Sequence, residues 1–123
     1  MIARDMRLRS ERDFERVRSK GRSWNNRLAV IVVHPNGLDH NRYGFATGKR
    51  IGNAPQRNRA KRLFREAVRH HDPHLLPGHD VIFIARNAFN DATALTEVVD
   101  AVDNLTRRAG IRAAEQSTAT DPA

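Results

Sequence analysis

The sequence contains no cysteine, which excludes a disulfide scaffold, a cysteine-ligated zinc site and a thiol nucleophile. Aromatic residues are scarce, 6% of 123 residues with one Trp and one Tyr, so aliphatic side chains must fill most of any core. Long apolar runs are missing as well. The longest, Leu28 to Val33, has six residues, against roughly 20 for a bilayer-spanning helix. Met1 to Asp5 lack the apolar stretch of a secretory signal, so a cytoplasmic protein without a membrane partner is expected. Lysine is nearly absent, with Lys20, Lys49 and Lys61 against nineteen arginines. What remains is a length suited to one domain and 39% hydrophobic residues, enough for a modest core.

The formal net charge is +8, and it is unevenly placed. Residues 1–69 carry 18 Lys+Arg and 6 Asp+Glu, a balance of +12, whereas residues 70–123 carry 4 and 8, a balance of −4. Arginine forks match phosphate oxygens bidentately and stack on bases, so this placement points to a nucleic-acid partner. A GC-rich coding sequence accounts for part of the arginine preference but not for its location. An anionic membrane would call for a basic helix with a broad apolar face or a lipidation signal. Neither is present.

Residues 1–9 read as an irregular basic arm. Ser10 followed by Glu11 and Asp13 marks a helix start, and Phe14 and Val17 at i, i+3 spacing point to a core. This helix is expected to reach about Arg18, and Lys20-Gly21-Arg22 ends it. Ser23 and Trp24 add a short extended piece. Leu28–Val33 is a β-branched run of strand length, followed by the turn signal Pro35-Asn36-Gly37. Arg42–Thr47 alternates and is expected to pair antiparallel with that strand. Residues 48–56 read as a loop, and a helix follows from Arg57 to about His70. Val81–Ala85 is a further strand, covered on both faces. A last helix is expected over Asp91–Ala109, burying Ala94, Leu95, Val98, Val99, Val102 and Leu105. The fold class is thus α+β: a single-domain α-β sandwich over 1–110 with a small mixed four-stranded sheet, in the order α-β-β-(β)-α-β-α. Residues 111–123 read as a disordered tail.

The helix from Arg57 is the most informative segment. Ala60, Leu63, Phe64, Ala67 and Val68 form one apolar stripe. At 100° per residue, Asn58, Lys61, Arg62, Arg65 and Arg69 lie on the opposite side. Between Arg57 and Arg69 there are six basic residues and one acid, Glu66. Ordinary solvated helices intersperse acids at i, i+4, so this face calls for an external anion. Arg57 and Arg59 at the expected helix start would also oppose the macrodipole unless phosphate neutralises that end.

These residues make the chain recognisable. It resembles the protein subunit family of bacterial ribonuclease P over roughly Leu8 to Arg86. The likeness runs through Leu8-Arg9…Asp13-Phe14…Val17…Lys20-Gly21 and then Gly44…Lys49…Ile51-Gly52-Asn53-Ala54. It continues in Arg57-Asn58-Arg59-Ala60-Lys61-Arg62-Leu63…Arg65-Glu66 and Asp80-Val81…Ile84-Ala85-Arg86. The resemblance implies an RNA-binding subunit of an endoribonuclease, a hydrolase in which the catalytic RNA and its Mg2+ perform the chemistry. Its partners would be the ribonuclease P RNA and precursor tRNA, whose 5′ leader is removed, with one protein per RNA and no catalytic residue in the protein. It also implies a left-handed βαβ crossover.

Carried over position by position, the RNA-binding residues are Lys49, Arg50, Arg57, Asn58, Arg59, Lys61, Arg62, Arg65 and Arg69. The same resemblance implies that Phe14 and Arg18 face a cleft for the single-stranded leader and that Asn58 lies near an Mg2+ at the RNA–protein boundary. Family members often carry aromatics at the Arg18 and Val32 positions, so base stacking is expected to be weaker here and backbone electrostatics stronger. Phe14 has a second reading, as core partner of Val17. His70, His71, His74 and His79 are expected to be solvated rather than metal ligands, because Pro73 interrupts their spacing. A free-standing RNA- or DNA-binding module is the alternative function. A protein-only nuclease is disfavoured, since no acidic metal cluster or phosphate loop is evident.

Overall fold

The computed structural model describes residues 6–113. In chain order these form helix α1 (Glu11–Lys20), strands β1 (Arg22–Asn25), β2 (Ala29–Pro35) and β3 (Arg42–Ala46), helix α2 (Ala54–His71), strand β4 (His79–Ala85) and helix α3 (Leu95–Arg108). Short 3-10 turns at Lys49–Ile51 and Asp72–His74 flank α2. The mixed sheet has the order β1-β2-β4-β3, and its two most apolar strands are its centre.

The register explains that choice. β2 runs antiparallel to β4 with Ile31 opposite Phe83, Val32 opposite Ile82 and Val33 opposite Val81. Alternation sends Ile31, Val33, Val81 and Phe83 to one face and Val32 and Ile82 to the other. The antiparallel pairing of β2 with Arg42–Thr47 expected from the sequence is not formed; β4 takes that place beside β2. Strand β3 pairs parallel with β4 at the sheet edge. Val81, Ile82 and Phe83 are all fully buried, so β4 requires a strand on each side and a layer on each face. Arg42 and Gly44 suit β3 to an edge.

Helices α2 and α3 cover one face. Phe64 of α2 stacks on Phe83 at 5.9 Å between centroids and meets Phe89 at 5.3 Å and Phe45 at 6.3 Å. Helix α1 covers part of the other face, where Val17 packs with Leu8, Val32 and Ile82. Ser10 caps α1 as expected, its hydroxyl accepting the Arg12 N–H at 3.2 Å. The helix runs on to Lys20, because Gly21 lets it lie against the sheet: a Cβ there would stand 2.8 Å from Val32 Cγ1.

Other element boundaries also differ from the sequence reading. Helix α2 begins at Ala54, not Arg57. Asn53 and Gln56 exchange side-chain and backbone hydrogen bonds in a capping box, and Pro55 occupies the first turn, where its missing N–H costs nothing. Helix α3 begins at Leu95, not Asp91. The turn before it is closed by Thr93 Oγ1 accepting the Asn90 N–H at 3.0 Å, and Glu97 Oε1 accepts the Ala94 N–H at 2.8 Å. Ala94 and Leu95 are exposed in consequence, while Ala101 and Thr106 join the buried side. The fold also extends beyond residue 110. Ile111 is 3% exposed, its carbonyl accepts the Leu76 N–H at 2.7 Å, and the Ala113 N–H reaches the His74 carbonyl at 2.8 Å. The expected basic arm is anchored as well, with Leu8 buried and its N–H donating to the Tyr43 carbonyl at 2.8 Å. The expectations for 1–5 and 114–123 lie outside the described residues.

Candidate nucleic-acid interface

The folded chain divides the basic residues of the sequence into groups with different freedom. With α2 starting at Ala54, Arg57 lies beyond the first turn, so the expected clash with the macrodipole is relieved. Arg57 instead donates from Nη1 to the Gly52 carbonyl at 2.7 Å, tying the preceding loop to the helix. Arg59 donates from Nη2 to the Thr93 carbonyl at 2.8 Å and so clasps the loop before α3. Arg69 is paired with Glu66, and that pairing raises the guanidinium and lowers the Glu66 carboxyl from their ordinary values, mainly through the hydrogen bond between them. Glu66 is the one acid of the helix, so this single pair leaves the expected excess of cations on the face in place. Asn58 and Arg62 are exposed and have no hydrogen-bond or ion-pair partner among the described residues. Lys49 and Arg50 lie in the 3-10 turn before α2, and Arg50 is exposed.

Lys61 and Arg65 belong to a cleft of about 160 Å3 over the edge strand β3. It is walled by Phe14 of α1, by Tyr43, Gly44 and Phe45 of β3, by Lys61 and Arg65 of α2, and by Arg7, Leu8 and Arg9 of the arm. Arg65 stands over the Phe45 ring, 5.8 Å from its centroid, close enough for a cation–π contact. Phe14 packs against the Val17 cluster and also lines this cleft, so its two sequence readings hold together. Gly44 permits the approach: a Cβ at that position would stand 2.5 Å from Phe14 Cε2. Arg18 lines a neighbouring depression of about 360 Å3 that also takes in Phe14 and Arg9. Val32 is buried beneath Val17, not presented to the cleft, and the more open positions of that face are Val30 and Ile84.

The position of α1, and hence of Phe14, rests on a charged network. Asp80 is fully buried and accepts from Arg42 Nε at 2.8 Å, Arg42 Nη2 at 2.8 Å and Asn36 Nδ2 at 3.0 Å. Arg16 of α1 lies 3.8 Å from the same carboxylate and 2.8 Å from Asp13, and Asp13 is 3.6 Å from Arg42. Burial alone would raise the Asp80 carboxyl, but the hydrogen bonds and charge of Arg42, with Asn36 and Arg16, hold it below the usual carboxylate range. Nearby, burial and the hydrogen bond to Asp72 push the Tyr43 phenol far above its ordinary value, so it stays a neutral donor.

Sequence reasoning missed Arg7 and Arg9 as cleft residues. The available signal was Leu8, the apolar residue between them that anchors the arm to β3. It also missed the clasps of Arg57 and Arg59, because side chains that turn back to loop carbonyls leave no periodic trace. His71 is buried, not solvated. Its Nε2 lies 2.9 Å from the Val99 carbonyl and its Nδ1 3.0 Å from Arg112 Nη1. That pattern requires a neutral ring donating to Val99 and accepting from Arg112. Desolvation accordingly lowers its pKa. Among the described residues, no three His, Asp or Glu side chains form a group that could hold a metal ion.

Comparison with known proteins agrees with this geometry. A family model described as Ribonuclease P matches residues 2–110. The ribonuclease P protein component of Roseiflexus sp. (strain RS-1) is 38% identical over 120 residues, covering 98% of each chain. That of Herpetosiphon aurantiacus is 44% identical over 108 residues, 88% of this chain and 87% of the relative. The solved structure of the Staphylococcus aureus RNase P protein superposes with a TM-score of 0.79 at 31% identity, over 87% of this chain and 97% of that one.

Proposed function

This chain belongs to the ribonuclease P protein family, and on that premise we propose that it assists the catalytic RNA of the enzyme in removing the 5′ leader of precursor tRNA. The observation that carries the reading is the cleft over β3. It brings an aromatic ring from α1 and two cations from α2 to one narrow surface. A single-stranded leader offers the matching chemistry, bases that stack on Phe14 and phosphates that meet Lys61 and Arg65. Arg7 and Arg9 extend the positive border of that surface, and Arg18 adjoins it in a depression that Glu11 and Glu15 also line. The opposite flank of α2 presents Asn58 and Arg62 to the catalytic RNA, joined by Lys49 and Arg50 of the preceding turn and by Arg69 at the far end. Arg57 and Arg59 serve the same contact while holding the helix to its neighbouring loops.

Hydrolysis belongs to the RNA and to Mg2+ bound there. Asn58 supplies one exposed amide oxygen, and no cluster of His, Asp or Glu among the described residues stands beside it. A cation at this boundary would therefore draw its other ligands from RNA phosphates and water. The protein screens phosphate repulsion and holds the leader, which reduces the Mg2+ needed for productive binding. It acts as a cytoplasmic monomer, one per RNA.

The test is reconstitution with a bacterial ribonuclease P RNA. The protein alone should cleave nothing, and the mixture should process precursor tRNA at Mg2+ concentrations where the RNA alone is inactive. Equal activity with and without the protein at limiting Mg2+ would refute the proposal.

A further inference from the structure

Cations also gather at the edge of the sheet farthest from the leader cleft. There β1 is the edge strand, with β2 and β4 between it and β3. It lies in a stretch, residues 16–38, that holds Arg16, Arg18, Lys20, Arg22 and Arg27 and no Asp or Glu. Arg16 is paired with Asp13, and Arg27 touches Glu97. Lys20 and Arg22 are exposed and have no hydrogen-bond or ion-pair partner among the described residues. Beside them stands Trp24, the one tryptophan of the chain.

Trp24 is half-buried. Its register opposite Ile31 directs it to the α2–α3 face, where it packs on the main core. Arg22, two residues earlier and so on the same side of the strand, stands over the indole with Cζ 5.4 Å from the ring centroid. That is a cation–π contact. A buried indole N–H ordinarily finds a hydrogen-bond partner. The Trp24 N–H has none among the described residues and is left open to solvent. Arg108, in the last turn of α3, reaches the same strand, its Nη1 donating to the Asn25 carbonyl at 2.6 Å. Asp103, on the same helix, is taken by Arg107 and Arg112. The edge thus presents a ring with a free donor, one guanidinium stacked on that ring and a second tethered to the adjoining residue.

We infer that Trp24, Arg22 and Arg108 form a stacking site for an unpaired RNA nucleotide. A carboxylate or a bare phosphate would use the two cations and leave the ring idle. A nucleotide uses all three parts: its base covers the guanidinium–indole pair, its phosphate meets the arginine forks, and its base or ribose accepts from the indole N–H. Bases in a duplex are already stacked on their neighbours, so the nucleotide must be unpaired. Stacking holds Arg22 in place before RNA arrives, which lowers the ordering cost of binding. The inference rests on the functional reading above and adds a contact on β1, which lends no residue to the leader cleft. The leader beyond that cleft and an unpaired segment of the catalytic RNA offer the same chemistry, and the experiment separates them.

Because Trp24 is the one tryptophan, its fluorescence reports this site alone. The full chain is titrated with a single-stranded RNA of about ten nucleotides, a duplex of equal length, precursor tRNA, leaderless tRNA and ribonuclease P RNA, with binding followed separately by anisotropy of the labelled RNA. The single strand should quench the emission and the duplex should not. Quenching by precursor tRNA but not by leaderless tRNA assigns the site to the leader, and quenching by ribonuclease P RNA assigns it to an unpaired segment there. Arg22→Gln should lower the log–log salt slope for the single strand by about 0.7, with melting near that of the parent. Trp24→Leu should weaken binding about fivefold, and Trp24→Phe should restore most of it. At saturating RNA, replacing Lys61 and Arg65 with Ala should leave the quenching in place. The site is refuted, and the family function stands, if these RNAs bind with emission unchanged, if the duplex quenches equally, or if the Lys61 and Arg65 changes abolish the response. Should the parent chain bind none of these RNAs, the functional reading itself falls.

Discussion

Asp80→Asn tests whether the charged network beneath α1 holds the leader cleft in shape. The carboxylate is fully buried and meets Arg42 through two hydrogen bonds of 2.8 Å, with Asn36 at 3.0 Å. Removing one partner of a buried ion pair typically costs about 3–5 kcal/mol. Arg42 retains 23% of its side-chain exposure, so water can partly resolvate it, and asparagine keeps one acceptor oxygen. The expected loss is therefore near the lower limit, about 3 kcal/mol, which for a domain of this size lowers Tm by about 12–20 °C. Urea unfolding at pH 7 measures it directly. The pH dependence supplies an independent check. The folded-state carboxyl lies below its ordinary value, so its contribution is complete above the unfolded pKa of about 3.9 and is lost as pH falls through the folded value. The difference between parent and variant should stay constant from pH 7 to about 5 and shrink below about 4. A loss under about 0.5 kcal/mol at pH 7, within the ordinary range of surface substitutions, would show that the network does not hold the helix.

Other expectations follow from the same contacts. Replacing Lys61 and Arg65 together with Ala should lower the assembled enzyme's affinity for precursor tRNA and reduce its log–log salt slope by about 1.4, while tRNA without a leader binds as before; equal losses on both substrates would place these residues elsewhere. Gly44→Ala puts a methyl group 2.5 Å from the resting position of Phe14 Cε2 and must push the ring outward. Leader affinity should fall while affinity for the catalytic RNA is retained, and an unchanged leader affinity would remove Phe14 from that contact. His71 is held neutral and its pKa is lowered, so its contribution is present above about pH 6.5 and declines as pH falls through the folded value. The protection factor of the Ala113 amide, its exchange rate corrected for the intrinsic pH dependence, should fall on that acid limb in the parent protein. A His71→Gln variant should lose the pH dependence, and an identical profile in both would refute the assignment.

The periodic parts of this molecule were legible in its sequence, and the contacts that join them were less so. The apolar stripe of α2 and the β-branched runs follow from repeats of 3.6 and 2 residues, and the Ser10 cap from a hydroxyl placed just before acids in a first turn. The placement of β3 did not, because Arg42–Ala46 suits a hairpin with β2 as well as an edge beside β4. Only the demand of Val81–Phe83 for cover on both sides decides between them. The start of α2 was hidden by Pro55, which marks a loop in one context and the first turn of a helix in another. Asn53 and Gln56, three apart, were the clue to the second. At the site, side-chain type and spacing pointed to Lys61 and Arg65, and the family resemblance pointed to Phe14. The presence of Arg7 and Arg9 beside them depends on Leu8 docking to β3, a tertiary event whose one trace in the sequence is a single apolar residue within a basic arm.

Helix α2 therefore answers two demands with one composition. Its apolar stripe fixes the phenylalanine cluster, and its arginines fall into those tied to the fold and those left open to solvent. Arg57 and Arg59 are bound to the carbonyls of Gly52 and Thr93, so a change at either should disturb the loops as well as the charge. Arg62 has no such tie and can contribute only through what it meets outside. The same division runs through the ends of β3 and β4, where Arg86 is held by Asn25 and Asn26 while Arg50 is exposed. In each place a tethered cation borders an untethered one. The first sets geometry in advance, which lowers the ordering cost on binding, and the second adapts to the position of the phosphate. A uniformly free basic face would bind polyanions with little discrimination. This arrangement of fixed and mobile arginines gives the +12 half of the chain a shape as well as a sign.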